Sequence, residues 1–539
     1  MKRYRLPLLS GVLVGTSYIP FPPWALFFCL VPLWIFFLRE TEVRRALLGG
    51  FVAQYVLTLI GFNWIAYTVH EFGRLPWPVA ILALLLFCAF ANLHLPLAGA
   101  AFVFLRRRLG PPGAATLALL PLLTAVAEVA YPMLFPWNLG YAWLWGGLPG
   151  YQLAEYVGFQ GLSALTIGVN LLFLLAWENR GSWRKAAVPV LAALLVLGTA
   201  NGLGMLAEKR IARPDATARV LIVQANIGNL RRQHEKWGPG YREEVIRSYF
   251  RLTRQGLSGS SDRRADFALW PESAFPAVLV EDGPDSVYSR LLATFLQMEA
   301  VPLVTGGRGF QGTAGKVTNA LFLYDGNGRP ADTPYHKSIL LAFGEYLPGA
   351  RLFPKLLEWI PEASDFARGE GPKVKKLGGM ILGPQICYEG LFPGHSAALA
   401  GDGAQLFVNV TNDSWFGTWQ EPYQHLYMTL ARGIEFRRPV IRATNTGIST
   451  VMLSDGTMLD RSRLREEWAR LFEVPYRMNP PSTFYQIYGV GLVPAILLLS
   501  AAGILLLALR GRKHGGKPPA PQEQKKPPGP MRGRGFSNR

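Results

Sequence analysis

The sequence predicts two unlike parts, a polytopic α-helical membrane unit and a layered α/β domain that follows it. Three observations predict this. Half of the 539 residues are hydrophobic and only 17% are charged, against about a quarter in an ordinary soluble domain. Mean hydropathy is accordingly positive, at +0.18. The apolar residues gather in long runs over 1–208 and again over 487–510, while 213–486 carries short β-rich runs broken by Gly, Pro and charge.

The helical part comes first. A span needs about 20 apolar residues to cross about 30 Å of hydrocarbon. Such runs lie near 6–21, 24–38, 47–69, 78–105, 113–131, 159–177 and 186–206, about seven spans, of which the first two are short. The final span is 487–510, followed by a basic, Pro- and Gly-rich tail over 511–539 whose composition predicts disorder. The opening MKRYRLPLLSGVLVG has the basic start and apolar run of a signal peptide. It lacks an A-x-A-like cleavage site and re-enters an apolar run at Trp24, so a retained helix is expected.

Charge then orients the spans. Fifty-five Lys and Arg against 36 Asp and Glu leave +19. Nucleic acid and membrane topology would each explain such an excess, and position favours topology. Lys2, Arg3 and Arg5 precede the first span, while Arg39, Arg44 and Arg45, Arg106 to Arg108, and Arg180, Arg184 and Lys185 fall in alternate loops. The intervening loops 22–23, 70–77 and 132–158 hold one basic residue, Arg74. Basic loops stay cytoplasmic. Both termini are therefore expected in the cytoplasm and 207–486 on the far side, with no nucleic acid partner. Asn63, His94, Glu128 and Asn170 fall inside spans; a structural role is expected, His94 and Glu128 either pairing between helices or lying near an interface. Three cysteines, Cys29, Cys88 and Cys387, exclude a disulfide framework and a Cys-based zinc site.

In the second part, strands are predicted at Arg219–Asn226, Asp266–Trp270, Val301–Thr305, Ala320–Tyr324, Met380–Cys387, Gln405–Val410 and Val440–Ala443. Helices are predicted at Tyr241–Gln255, Pro284–Met298 and Tyr423–Arg437, and the alternation indicates layered packing. Glu272 ends one strand in WPES, Lys337 lies in YHKSILLAFG, and Cys387 ends another strand in CYE. A cysteine at a strand end is commonly a small buried hydrophobe, and a lone Lys or Glu a solvated residue. Together the three make a mechanism. A thiol nucleophile needs a base, a partly desolvated carboxylate can be that base, and an ammonium stabilises both thiolate and oxyanion. A Cys–His pair using His336 or His395 is the rival arrangement.

The ordered set WPES, HK, FGEYLP and CYE resembles the carbon–nitrogen hydrolase (nitrilase) superfamily. With the membrane frame, nearly the whole chain is similar to the apolipoprotein N-acyltransferases of bacterial inner membranes. The resemblance implies a nitrilase-like αββα sandwich with catalytic Glu272, Lys337 and Cys387. It implies that Cys387 takes an acyl chain from a phospholipid as a thioester, and that the free amine of a diacylated apolipoprotein then receives it. Glu272 would move the protons and Lys337 would hold the oxyanion. Glu345 matches the family's second glutamate, which orients the lysine; Tyr388 and Glu389 flank the nucleophile. Trp237 and Trp415 resemble aromatics on loops over the site, and Arg351 is a candidate contact for a lipid phosphate. No metal or organic cofactor is implied, and a monomer is expected. The competing readings are a membrane-tethered amidase, with water as acceptor, and a non-catalytic scaffold or transporter.

Overall fold

The structure, a computed structural model, describes residues 2–109, 114–228, 230–259, 264–276, 279, 286–311, 316–350, 352–353, 355 and 366–514. Five of the described helices are long and apolar enough to cross a membrane: Val43–Gly61, Trp77–Arg108, Pro149–Glu178, Trp183–Glu208 and Tyr485–Leu506. A shorter apolar helix covers Thr116–Ala130. The first two predicted spans form helices of 11 and 9 residues, Arg5–Gly15 and Val31–Arg39, joined by irregular chain. Pro20, Pro22 and Pro23 lie in that joint and lack the N–H a continuous helix needs. The run near 78–105 is two helices, Trp77–Phe90 and His94–Leu109, interrupted before Pro96. Val188, Leu191, Leu194 and Leu195 on one long helix and Ile496 and Leu499 on another are solvent-exposed, an apolar rim that only lipid satisfies. The last helix runs Val490–His514, so it takes in four residues expected in the basic tail; the rest of that tail lies outside the described residues.

The buried polar residues of this half act as staples. Asn170 accepts from the Leu30 N–H at 2.9 Å and donates to Leu26 O and Thr166 O. Of the two arrangements expected for His94 and Glu128, pairing with each other is not what forms. Glu128 is hydrogen-bonded to Ser163 and the Leu139 backbone, and His94 stands edge-on to Trp137.

Among the described residues the α/β domain has twelve strands: β1 Ala216–Gln224, β2 Phe267–Trp270, β3 Leu303–Gln311, β4 Lys316–Tyr324, β5 Tyr335–His336, β6 Lys375–Leu377, β7 Met380–Ile386, β8 Leu406–Thr411, β9 Val440–Thr444, β10 Thr450–Met452, β11 Met458–Arg461 and β12 Trp468–Tyr476. They form two six-stranded sheets, ordered β12-β1-β2-β3-β4-β5 and β11-β10-β9-β8-β7-β6. Each has a parallel centre, β1 to β3 and β7 to β9, with antiparallel strands at its flanks. Strand alternation builds the layers. In β1, Val220 and Ile222 join the core shared with the other sheet, whereas Leu221 and Val223 pack with Tyr249, Leu292 and Phe295 of the helices Leu230–Ser258 and Ser286–Glu299. Helices Pro393–Gly401 and Glu421–Phe436 belong to the other sheet's side. The result is a helix–sheet–sheet–helix sandwich.

Polar side chains dock the sandwich on the membrane helices. Gln424 donates to Ile19 O and Gly61 O, both at 2.9 Å, and accepts from Trp64 Nε1. Arg437 spans Glu155 and Gln152, and Glu435 accepts the Phe159 N–H at 3.1 Å.

Candidate active site

Three strand ends meet in the space between the sheets. Glu272 follows β2 by two residues, Lys337 follows β5 directly, and Cys387 follows β7 directly. The carboxyl ends of parallel strands are where α/β folds place ligands. The chain turns sharply there, with Ser273 at φ 54° and Cys387 at φ 53°, left-handed values that non-glycine residues rarely adopt.

Lys337 Nζ lies 2.8 Å from Glu345 Oε1 and 3.5 Å from Glu272 Oε1. Asn319 Nδ2 donates to both carboxylates, at 2.6 Å to Glu272 and 2.9 Å to Glu345. Glu272 Oε2 accepts the Asn412 N–H at 2.9 Å, and Glu345 Oε2 accepts that of Leu341 at 2.8 Å. Burial lifts the Glu272 carboxyl, helped by Glu345 and opposed by Lys337. Burial works against the Lys337 charge, but Glu345 and Glu272 together outweigh it and hold the ammonium above its ordinary range. Burial, then the Glu272 charge, raises the Cys387 thiol far above its ordinary value, with Lys337 and a hydrogen bond to Thr411 opposing. The resting centre therefore holds a thiol and an ammonium beside the Glu272 carboxyl.

Glu389 does a different job. Its Oε1 accepts from Tyr335 Oη at 2.7 Å, from Ser338 N at 2.6 Å and Oγ at 2.9 Å, and from Ile339 N at 3.2 Å, while Oε2 accepts the Ile386 N–H at 2.8 Å. One fully buried carboxylate thus ties the lysine segment to the cysteine turn. Tyr388 Oη donates to Leu134 O in the membrane half.

Cys387 opens on a narrow cavity. Tyr18, Phe62, Trp64, Phe135 and Trp137 of the membrane half form its aromatic wall. The two rival histidines are elsewhere engaged, His336 with Thr318 at 2.7 Å and His395 with Pro384 O at 3.3 Å. Trp415 is half-buried and edge-on to Phe72, while its neighbour Phe416 reaches the cavity. Trp237 falls in the helix Leu230–Ser258, its side chain outside the described residues; Arg351 lies outside them altogether.

Sequence reasoning missed Asn319, the membrane-half aromatics and a buried group of Asp413, Glu421 and His425. Asn319 had a signal, a lone amide in the apolar strand KVTNALFLY. The ligand atoms of the acidic group lie within 4.8 Å of one another, the spacing of a cation site. Arg442 Nη2 sits 3.0 Å from Asp413, and His425 is pushed up to about 9, so a guanidinium and a proton already supply the positive charge there.

Comparison with known proteins agrees with this division. Residues 222–473 match the carbon–nitrogen hydrolase family and residues 10–172 the apolipoprotein N-acyltransferase N-terminal domain. An apolipoprotein N-acyltransferase of Bdellovibrio bacteriovorus is 45% identical over 95% of each chain. That of Geobacter metallireducens is 32% identical over 90% of this chain and 91% of its own. Among solved structures, a nitrilase-superfamily amidase of Nesterenkonia is 21% identical, with TM-score 0.37, over 53% of this chain and 99% of its own. A nitrilase-like sandwich set on apolar helices, with relatives matching both halves end to end, places the chain in the apolipoprotein N-acyltransferase family.

Proposed function

We propose that the chain transfers an acyl group from a phospholipid to the free α-amine of the S-diacylglyceryl cysteine of an apolipoprotein, through a thioester on Cys387. The observation that carries the reading is the shared cavity: Cys387 opens on a space walled by membrane-half aromatics, where an acyl chain is soluble and water is not favoured.

In the first stage Glu272 takes the Cys387 proton as Sγ attacks the ester carbonyl. The Lys337 ammonium and the Tyr388 backbone N–H hold the oxyanion. Glu272 then returns the proton to the departing lysophospholipid. In the second stage the acceptor amine attacks the thioester, Glu272 again moving a proton, and Sγ leaves as the thiol. Glu345 and Asn319 keep Lys337 and Glu272 in register, and Glu389 fixes the two turns that carry Lys337 and Cys387. Trp237, Trp415 and Arg351 are assigned to substrate contact. All of these groups come from one chain, so a monomer suffices. The distribution of Lys and Arg supports a periplasmic position for this domain at the inner membrane, with both termini cytoplasmic.

The test is mass spectrometry of the full-length protein after incubation with a phospholipid of defined chain. The expected result is an acyl-sized adduct on the Cys387 peptide, labile to hydroxylamine, absent in Cys387→Ala and discharged by a diacylglyceryl-Cys peptide. No adduct with any phospholipid, alongside hydrolysis of small amides, would overturn the reading in favour of an amidase.

A further inference from the structure

Two ionisable side chains in the wall of the Cys387 cavity take no part in the scheme above, Glu421 and His425. They lie one turn apart on the helix Glu421–Phe436 and so share a face. Both are more than nine-tenths buried. His425 Nδ1 stands 3.0 Å from Asp413 Oδ1 and 3.4 Å from Glu421 Oε1. Their other polar atoms, Glu421 Oε2 and His425 Nε2, have no hydrogen-bond partner among the described residues, and neither does Tyr18 Oη in the same wall. A buried polar atom left unpaired costs about 1–3 kcal/mol, and native proteins keep few of them. Three on residues lining one largely apolar cavity call for a ligand with polar atoms of its own.

The charges say which. Asp413 is matched by Arg442 at 3.0 Å and draws the His425 proton on its other oxygen. Glu421 is left with a free carboxylate oxygen, which repels an anion and accepts from an N–H cation. His425 Nε2 and Tyr18 Oη beside it suit a neighbouring carbonyl or ester oxygen. Resting on the acyltransfer reading, we infer that Glu421 binds a primary ammonium group of the substrate and takes its first proton, while the His425 Nε2–H donates to the carbonyl or ester oxygen beside it.

In the second stage one ammonium proton passes to Glu421 and on to solvent. The neutral nitrogen attacks the thioester carbon, the C–N bond forms and the C–S bond breaks. The second proton travels through Glu272 to Sγ, which ends as the thiol. Burial and the Asp413 charge lift Glu421 to about 7, the range in which a proton acceptor turns over at neutral pH. A primary ammonium has two sources here, the acceptor's α-amine and an ethanolamine headgroup.

Full-length Glu421→Gln in detergent separates them. Thioester formation from phosphatidylglycerol, which has no ammonium, is expected at the wild-type rate and serves as the folding control. Discharge by a diacylglyceryl-Cys peptide is expected to slow by roughly a hundredfold, with partial recovery in Glu421→Asp. A slowed first stage confined to phosphatidylethanolamine would show that a headgroup ammonium also uses the site. Wild-type rates in both stages would overturn the inference, as would equal loss in both stages with either lipid, which marks a structural role. Absence of any thioester in the unmodified protein would sink the acyltransfer reading instead.

Discussion

At the scale of single residues, the site works by setting charges against burial. Asn319 donates to Glu272 and so favours its ionised form, against the upward push of burial. The sign of its removal follows. Asn319→Ala leaves Glu272 less easily ionised, so the acid limb of thioester formation moves to higher pH; an unmoved limb would contradict the base role of Glu272. In the unmodified protein that limb belongs above the ordinary glutamate value of about 4.3, because the carboxyl is already raised. Cysteine chemistry follows the same logic. Cys29 and Cys88 are fully buried in the helical half, whereas Cys387 borders the cavity. A small soluble alkylating reagent should label the Cys387 peptide first, checked by peptide mapping. Preferential labelling of Cys29 or Cys88 would contradict the placement of the helices. The residues named by sequence motif were the legible ones: Glu272, Lys337, Glu345 and Cys387 lie in short signatures. Asn319 and Glu421 lie in no signature and matter only through where the strands and helices carry them.

At the scale of elements, the strands place the turns and the turns place the chemistry. Gly306 on β3 lies against the Glu272 turn: a Cβ there would come within 2.6 Å of Glu272 Cα and 2.7 Å of Pro271 O, both backbone atoms with no room to yield. At Gly307 the nearest atoms are side-chain carbons at 3.3 Å or beyond. Gly306→Ala should therefore cost roughly a hundredfold in thioester formation, the effect of moving a reacting group by about 1 Å. Gly307→Ala should cost far less. Equal rates for the two variants would refute the account. The long apolar strands β1, β7, β8 and β9 were visible in sequence because both of their faces are buried and their apolar runs are continuous. The short strands β5, β6, β10 and β11 and the edge strand β12 were not. Two to four residues carry no period, and the half-exposed β12 mixes charge with apolar positions.

At the scale of the whole molecule, the catalytic sandwich is not a soluble body on a tether. Cys387, the proposed nucleophile, faces a wall built by the membrane half, so docking of the two halves is part of the candidate site. No sequence period reports that docking, because its contacts join residues hundreds of positions apart: Tyr388 to Leu134, Gln424 to Ile19, Arg437 to Glu155. Hydropathy reported the spans but not the breaks near Pro20 and Pro96, where proline interrupts apolar runs that read as continuous. Arg437 offers the clearest test. Its guanidinium donates to Glu155 at 2.8 Å, to the Gln152 side chain at 2.6 Å, to Gln152 O at 3.1 Å and to Ser454 O at 3.1 Å. It therefore stitches the end of the helix Glu421–Phe436 to the membrane half. Arg437→Ala leaves the Glu155 carboxylate, largely buried, without its cation. Removing one partner of such a pair costs about 3–5 kcal/mol. The expected outcome is a clear fall in the thermal unfolding midpoint in detergent, with slower acyl transfer well below that midpoint because the cavity wall loses its register. Arg437→Lys should recover only part of both, since an ammonium cannot reproduce the fork that reaches Glu155 and Gln152 together. An unchanged midpoint with unchanged activity would mean that the halves are held together elsewhere and that this seam is incidental.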